Sequence, residues 1–227
     1  MQQLPLSVRI ADRAVFQSFL PGANQQALER LAAIANAGAG LCWLSGPRSC
    51  GKTHLLQAVS VAAGAKAPAT YIPLREVFAL GPEALEGMTE LACVTLDDLD
   101  AVAGKLEWER ALFRLYRETE DRGGIAVFAS RLPPAALAWA LPDFASRAVA
   151  MPGFALQPLD ETGRSEALRL RARLRGVDLP DETLRWLERR FPRDMGSLFV
   201  VLDALDQAAL VAQRRLTVPF IRSVLRE

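Results

Sequence analysis

The 227-residue sequence is short of net charge: 27 lysines and arginines against 26 acids leave +1. That balance gives no whole-chain electrostatic case for a nucleic-acid partner. Lysine is rare, and nearly all the basic residues are arginine. Cysteine is scarce too. Cys42, Cys50 and Cys93 are an odd number without metal-ligand spacing, which argues for a reducing compartment rather than a disulfide framework. No signal peptide and no apolar run of membrane-spanning length is present, so a cytoplasmic protein with no membrane partner is expected. The chain is long enough for one core, or one core and a small satellite domain.

What the sequence does have is Gly46-Pro47-Arg48-Ser49-Cys50-Gly51-Lys52-Thr53. A glycine, four residues and Gly-Lys-Thr form the phosphate-loop pattern. The apolar run Leu41-Cys42-Trp43-Leu44 before it reads as a buried strand, and a helical pattern starts at His54. Gly46 and Gly51 let the backbone curl so that N–H groups converge on an anion, and the following helix adds its positive end. Lys52 is expected to reach the outer phosphates and Thr53 to hold Mg²⁺. The loop lacks the usual glycine filling: Arg48, Ser49 and Cys50 are bulkier. Cys50 is either a buried inert thiol or an exposed oxidisable one. The candidate nucleotide-contacting stretch is Gly46, Arg48, Ser49, Cys50, Gly51, Lys52, Thr53 and His54.

Other segments fall around this loop. Asn24 precedes a helical pattern (Ala27, Leu28, Leu31, Ile34) and either caps it or folds over a nucleotide base. Thr70–Leu74 reads as a second strand with Pro73 at an end or edge. Leu91–Asp98 reads as a third strand ending in two acids. Asp97 is placed near the Mg²⁺ shell and Asp98 beside an attacking water, against the plainer reading of a capped turn. Leu106–Asp121 is an amphipathic helix with Trp108, Leu112 and Leu115 on one side, and Ile125–Ser130 a fourth strand. Ser130 either senses the terminal phosphate or caps the next element. Leu141–Arg147 precedes a short strand expected near Ala148–Met151; Arg147 either reaches a neighbour's phosphate or makes a surface salt bridge.

From Asp160 the pattern is all helix, with helices expected at about 160–175, 181–191, 195–212 and 218–226. Arg164, Arg169, Arg171, Arg173 and Arg175 fall on two stripes of the first, which reads as a solvated helix. Arg193 stands at a helix start, where a cation opposes the dipole. It therefore meets either a phosphate or an acidic neighbour. At the other end, Gln3-Leu4-Pro5-Leu6 reads as an extended tail.

Together these motifs resemble an AAA+ ATPase module, and more closely the bacterial initiator DnaA. Phe19-x-x-Gly22-x-Asn24, Gly51-Lys52-Thr53-His54-Leu55-Leu56, Leu96-Asp97-Asp98 and Leu141-Pro142-Asp143-Phe144-Ala145-Ser146-Arg147 carry that resemblance. Leu168–Gly176, Leu202-Asp203-x-Leu205-Asp206 and Arg214–Phe220 resemble the Hda family of short DnaA relatives. The sequence stops after the lid helices, where an initiator continues into a helix-turn-helix DNA-binding domain.

The resemblance implies an α/β fold: an extended tail over 1–9, a three-layer αβα phosphate-loop domain with a parallel five-stranded sheet over 10–157, and a small helical lid over 158–227. It implies Asn24 in the base pocket; Lys52, Thr53 and Asp97 on phosphate and metal; Arg147 as an arginine finger; and Arg193 as the lid arginine. Gln3, Leu4 and Leu6 would insert into the sliding clamp. Two positions depart from the AAA+ pattern: Ser130 replaces asparagine, and Asp98 replaces glutamate, as in initiators. The implied function is inactivation of DnaA, with ADP or ATP and Mg²⁺ bound, DnaA and the clamp as partners, DNA reached through the clamp, and assembly as a homodimer or homo-oligomer. A self-contained AAA+ ATPase or loader and a non-catalytic adaptor are the alternatives.

Overall fold

The computed structural model describes residues 14–191, 195–212 and 216–225. The chain divides into two compact units, the first ending at Gln157 and the second beginning at Pro158.

The first unit is built on five parallel strands in the order β2-β3-β4-β1-β5. They are β1 (Gly40–Ser45), β2 (Ala69–Pro73), β3 (Cys93–Asp97), β4 (Ile125–Ser130) and β5 (Gly153–Ala155). Strand side chains alternate between faces, so each strand feeds two cores. Cys42, Leu44, Cys93, Ile125 and Val127 face one side, where they pack with helices α1 (Gln25–Ala37) and α2 (Lys52–Gly64). Trp43, Val94, Leu96, Ala126 and Phe128 face the other, under α4 (Leu106–Asp121) and α5 (Pro142–Ala150). A single turn, α3 (Leu74–Val77), follows the edge strand β2, where Pro73 costs no inner ladder bond. The result is the three-layer αβα arrangement that the motifs implied.

Local sequence explains the boundaries. α1 buries Ala27, Leu31 and Ile34 at helical spacing and stops at Gly38, which takes φ 75° and donates its N–H to the Ile34 carbonyl. The last strand differs from expectation. Residues 142–150 are helix, and the strand comes later, at Gly153–Ala155. Pro142 at the first helical position with Asp143 behind it is a helix-start signal. It outweighs the short apolar run at Ala148–Met151.

The second unit contains α6 (Glu161–Leu174), α7 (Asp181–Arg190), α8 (Met195–Ala212) and α9 (Val218–Leu225). Asp160 caps α6 by accepting from the Gly163 N–H. Three of the five arginines expected on a solvated helix, Arg169, Arg171 and Arg175, instead pair with acids of the neighbouring helices, while Arg173 is exposed. Arg171 makes a two-pronged contact with Asp203 of α8 and lies 4.5 Å over the Phe199 ring; Arg175 reaches Asp203 and Asp206; Arg169 reaches Asp181 of α7. They are the glue between α6 and its neighbours. No described helix is long and apolar enough to cross a membrane.

Candidate nucleotide site

The loop after β1 lies at the carboxyl ends of the strands, where the chain leaves β1, between β4 and β5, for β2 at the far edge. In open α/β sheets that switch point is where ligands bind. The loop is shaped by three positive φ angles: 150° at Gly46, 60° at Ser49 and 99° at Gly51. At Gly46 a β-carbon would stand 2.6 Å from the Leu156 carbonyl oxygen, and at Gly51 2.5 Å from Phe19 Cε2. Both positions therefore exclude any side chain. Helix α2 opens at Lys52 with no side-chain cap on Gly51, so its first N–H groups point into the loop without intrahelical acceptors.

Lys52 is 8% exposed, and its Nζ donates to the carbonyls of Gly46 (2.7 Å) and Pro47 (2.8 Å). Its charge is thus held over the loop by the loop itself. Cys50 is buried, with its Sγ 3.8 Å from that Nζ, so it is the buried thiol of the two alternatives. Burial pushes the Cys42 and Cys93 thiols up to about 12. Arg48 and Ser49 are exposed on the rim.

Thr53 donates to Asp97 Oδ2 at 2.5 Å across the α2–β3 boundary. Tyr71 donates to the same oxygen at 3.2 Å, and the Asp98 N–H donates to Oδ1 at 2.8 Å. Burial raises the Asp97 carboxyl above its ordinary range, with these donors pulling the other way. Burial likewise raises the Tyr71 hydroxyl, with Asp97 adding to it. A hydroxyl touching a carboxylate is an oxygen set suited to Mg²⁺. Among the described residues no group of three or more His, Cys, Asp or Glu side chains could hold a metal alone. A cation here would take its remaining oxygens from water and phosphate.

The other anticipated residues fall into three groups. Asn24 does not cap α1 through its side chain. Its amide instead pairs with the Gln157 backbone in both directions, at 2.9 and 2.8 Å, joining the start of α1 to the end of the unit. His54 Nε2 lies 3.0 Å from the Val15 carbonyl and 3.2 Å from Ser18 Oγ, with Phe19 packed on its ring, so it grips the incoming segment. Asp98 follows β3 at φ 57° with its carboxylate on Arg75 Nε at 3.3 Å. Ser130 accepts from Trp43 Nε1 at 2.8 Å and donates to the Leu132 carbonyl at 2.5 Å. Its hydroxyl is committed to the turn, which favours the capping alternative. Arg147 is exposed on α5. Gln3, Leu4, Leu6 and Arg193 lie outside the described residues.

Sequence reasoning missed Tyr71 and Arg75, the partners of the two acids. The signal was weak: β2 runs parallel to β3 with Tyr71 level with Thr95, a register that no local pattern announces.

The parallel sheet, the phosphate loop after β1 and the helical second unit form an architecture with counterparts among solved structures. Domain III of the replication initiation protein DnaA from Thermotoga maritima superposes with a TM-score of 0.76 at 20% identity, over 95% of this chain and 97% of that one. AMPPCP-bound DnaA from Aquifex aeolicus gives 0.67 at 18% identity, over 89% and 67%. The Thermotoga maritima RuvB Holliday junction branch migration motor gives 0.61 at 12% identity, over 93% and 72%. Residues 160–225 match the family described as Hda, lid domain. Across the chain the likeness to these proteins is one of fold, and the match to the Hda lid family covers residues 160–225.

Proposed function

We propose that this protein is an Hda-type regulator of replication initiation: it binds a nucleotide at the phosphate loop and stimulates hydrolysis of the ATP held by DnaA. The observation that carries the reading is an Hda lid domain on a DnaA-like AAA+ fold. The loop supports nucleotide binding on its own geometry, and a neighbour of the same fold binds AMPPCP. Backbone N–H groups of the Gly46–Lys52 turn would take the phosphates, with Lys52 turning from its carbonyls to the outer one. Thr53 and Asp97 would hold Mg²⁺, whose charge offsets that of the phosphates.

Arg147 is the residue we assign to the partner. An exposed guanidinium can be offered to a neighbour's phosphates, and such a finger contributes about 10³–10⁵ in rate in other phosphate-loop systems. The ion pair from Arg75 to Asp98 fits a protein whose own hydrolysis is secondary. Gln3, Leu4 and Leu6 would dock in the sliding clamp and raise the local concentration of the protein near DnaA on replicated DNA.

The test is hydrolysis of DnaA-bound ATP with this protein, with and without clamp-loaded DNA. Stimulation that needs the clamp, and is lost on deleting residues 2–6, is the expected outcome. Equal DnaA hydrolysis with and without this protein would refute the reading.

A further inference from the structure

The buried carboxylate of Asp97 can be followed donor by donor. An ionised carboxylate has about four lone-pair sites on its two oxygens. Among the described residues, the Thr53 and Tyr71 hydroxyls both end on Oδ2, at 2.5 and 3.2 Å, and the Asp98 N–H ends on Oδ1 at 2.8 Å. Oδ2 is therefore filled, and Oδ1 keeps a site. The Thr53 hydroxyl gives its proton to Asp97, so its lone pairs are what it can offer a cation.

The two hydroxyls come from different elements. Thr53 stands in the first turn of α2, directly after the phosphate loop. Tyr71 stands in β2, the strand beside β3, level with Thr95. Its ring is buried in the core that also holds Leu55, Leu56 and Cys93. A ring packed this way keeps one orientation, so its hydroxyl is delivered to one place. The core needs only the ring; the hydroxyl proton goes to Asp97. Without it, the carboxylate could turn about its terminal torsion, which is soft, and change the oxygen it shows to Thr53.

We propose that Tyr71 is a positioning residue for the divalent cation that accompanies the nucleotide: its hydroxyl pins Oδ2 of Asp97 against Thr53, which leaves Oδ1 to serve the cation's water shell. The proposal rests on the reading of the phosphate loop as a nucleotide site with Mg²⁺. Groups that hydrogen-bond a cation's carboxylate from behind typically carry roughly ten- to a hundred-fold in metal affinity.

The experiment compares wild type, Tyr71→Phe, Thr53→Val and Asp97→Asn in two titrations. Fluorescence of mantADP gives nucleotide affinity in excess Mg²⁺ and in EDTA. Electron paramagnetic resonance of Mn²⁺, added to the equimolar ADP complex, gives cation affinity. Tyr71→Phe keeps the ring, so its mantADP affinity in EDTA should match that of wild type. Its Mn²⁺ affinity should fall roughly ten- to a hundred-fold, and the gain in mantADP affinity on adding Mg²⁺ should shrink. Wild-type Mn²⁺ affinity in Tyr71→Phe, while Asp97→Asn loses it, overturns the positioning role. So does a loss of mantADP affinity that is equal in EDTA and in Mg²⁺, the mark of a ring that only packs. If Thr53→Val and Asp97→Asn both keep wild-type Mn²⁺ affinity, or wild type binds no mantADP, the reading of the site fails and the proposal falls with it.

Discussion

Lys52 and Arg147 are the two cations on which the functional reading depends, and the fold presents them in opposite ways. Lys52 is almost wholly buried, and its ammonium is bonded to two carbonyls of its own loop. Arg147 is exposed near the end of a nine-residue helix. A cation folded into its own loop suits a ligand that the chain keeps. An exposed cation on a surface helix suits a phosphate that arrives with another molecule. The backbone beneath each is held: that of Lys52 by the glycine-shaped turn, and the start of α5 by Glu109, which accepts from the Leu141 N–H.

Three changes would break or sharpen that contrast. The largest effect is expected from Lys52→Ala. Losing a charge-assisted contact to phosphate removes about 1.5–3 kcal/mol, so nucleotide affinity should fall roughly ten- to a hundred-fold, read by titration calorimetry with ADP and with ATP. If affinity is unchanged, the loop does not hold the ligand. Gly51→Ala should come next. Its φ of 99° and the Phe19 ring 2.5 Å from the added carbon should cost about 1–3 kcal/mol of stability by urea unfolding. A neutral result would mean that Phe19 moves aside freely. The smallest effect lies in the lid. Arg169 lowers the exposed Asp181 carboxyl below its ordinary 3.8. The folded value is depressed, so any stabilisation is complete above the ordinary value and fades as pH falls through the folded one. Carbon-13 titration of the Asp181 carboxyl should show an inflection below the ordinary value that moves upward in Arg169→Ala.

The architecture was legible because its signals are local. The Ile125–Ser130 strand and the Leu106–Asp121 helix are bounded by turn residues and alternate or repeat at their own period. The phosphate loop announces itself because only one spacing of glycines permits the turn. The strand expected at Ala148–Met151 was misread because four apolar residues fit a strand and a helix end equally. Long-range pairings left no trace at all. Asn24 looked like a cap, yet its partner is Gln157, 133 residues away. The α6 arginines looked solvated because Asp203 and Asp206 lie beyond another helix. Glu109 could have been suspected: it falls near Leu112 on the apolar side of α4, where an acid needs donors.

The most direct measurement of the central claim is single-turnover hydrolysis of ATP on DnaA, with clamp-loaded DNA, driven by wild type or by Arg147→Ala. The account predicts that the variant still binds nucleotide and clamp while its stimulation falls by about a thousandfold or more. Stimulation equal to wild type from Arg147→Ala would contradict it.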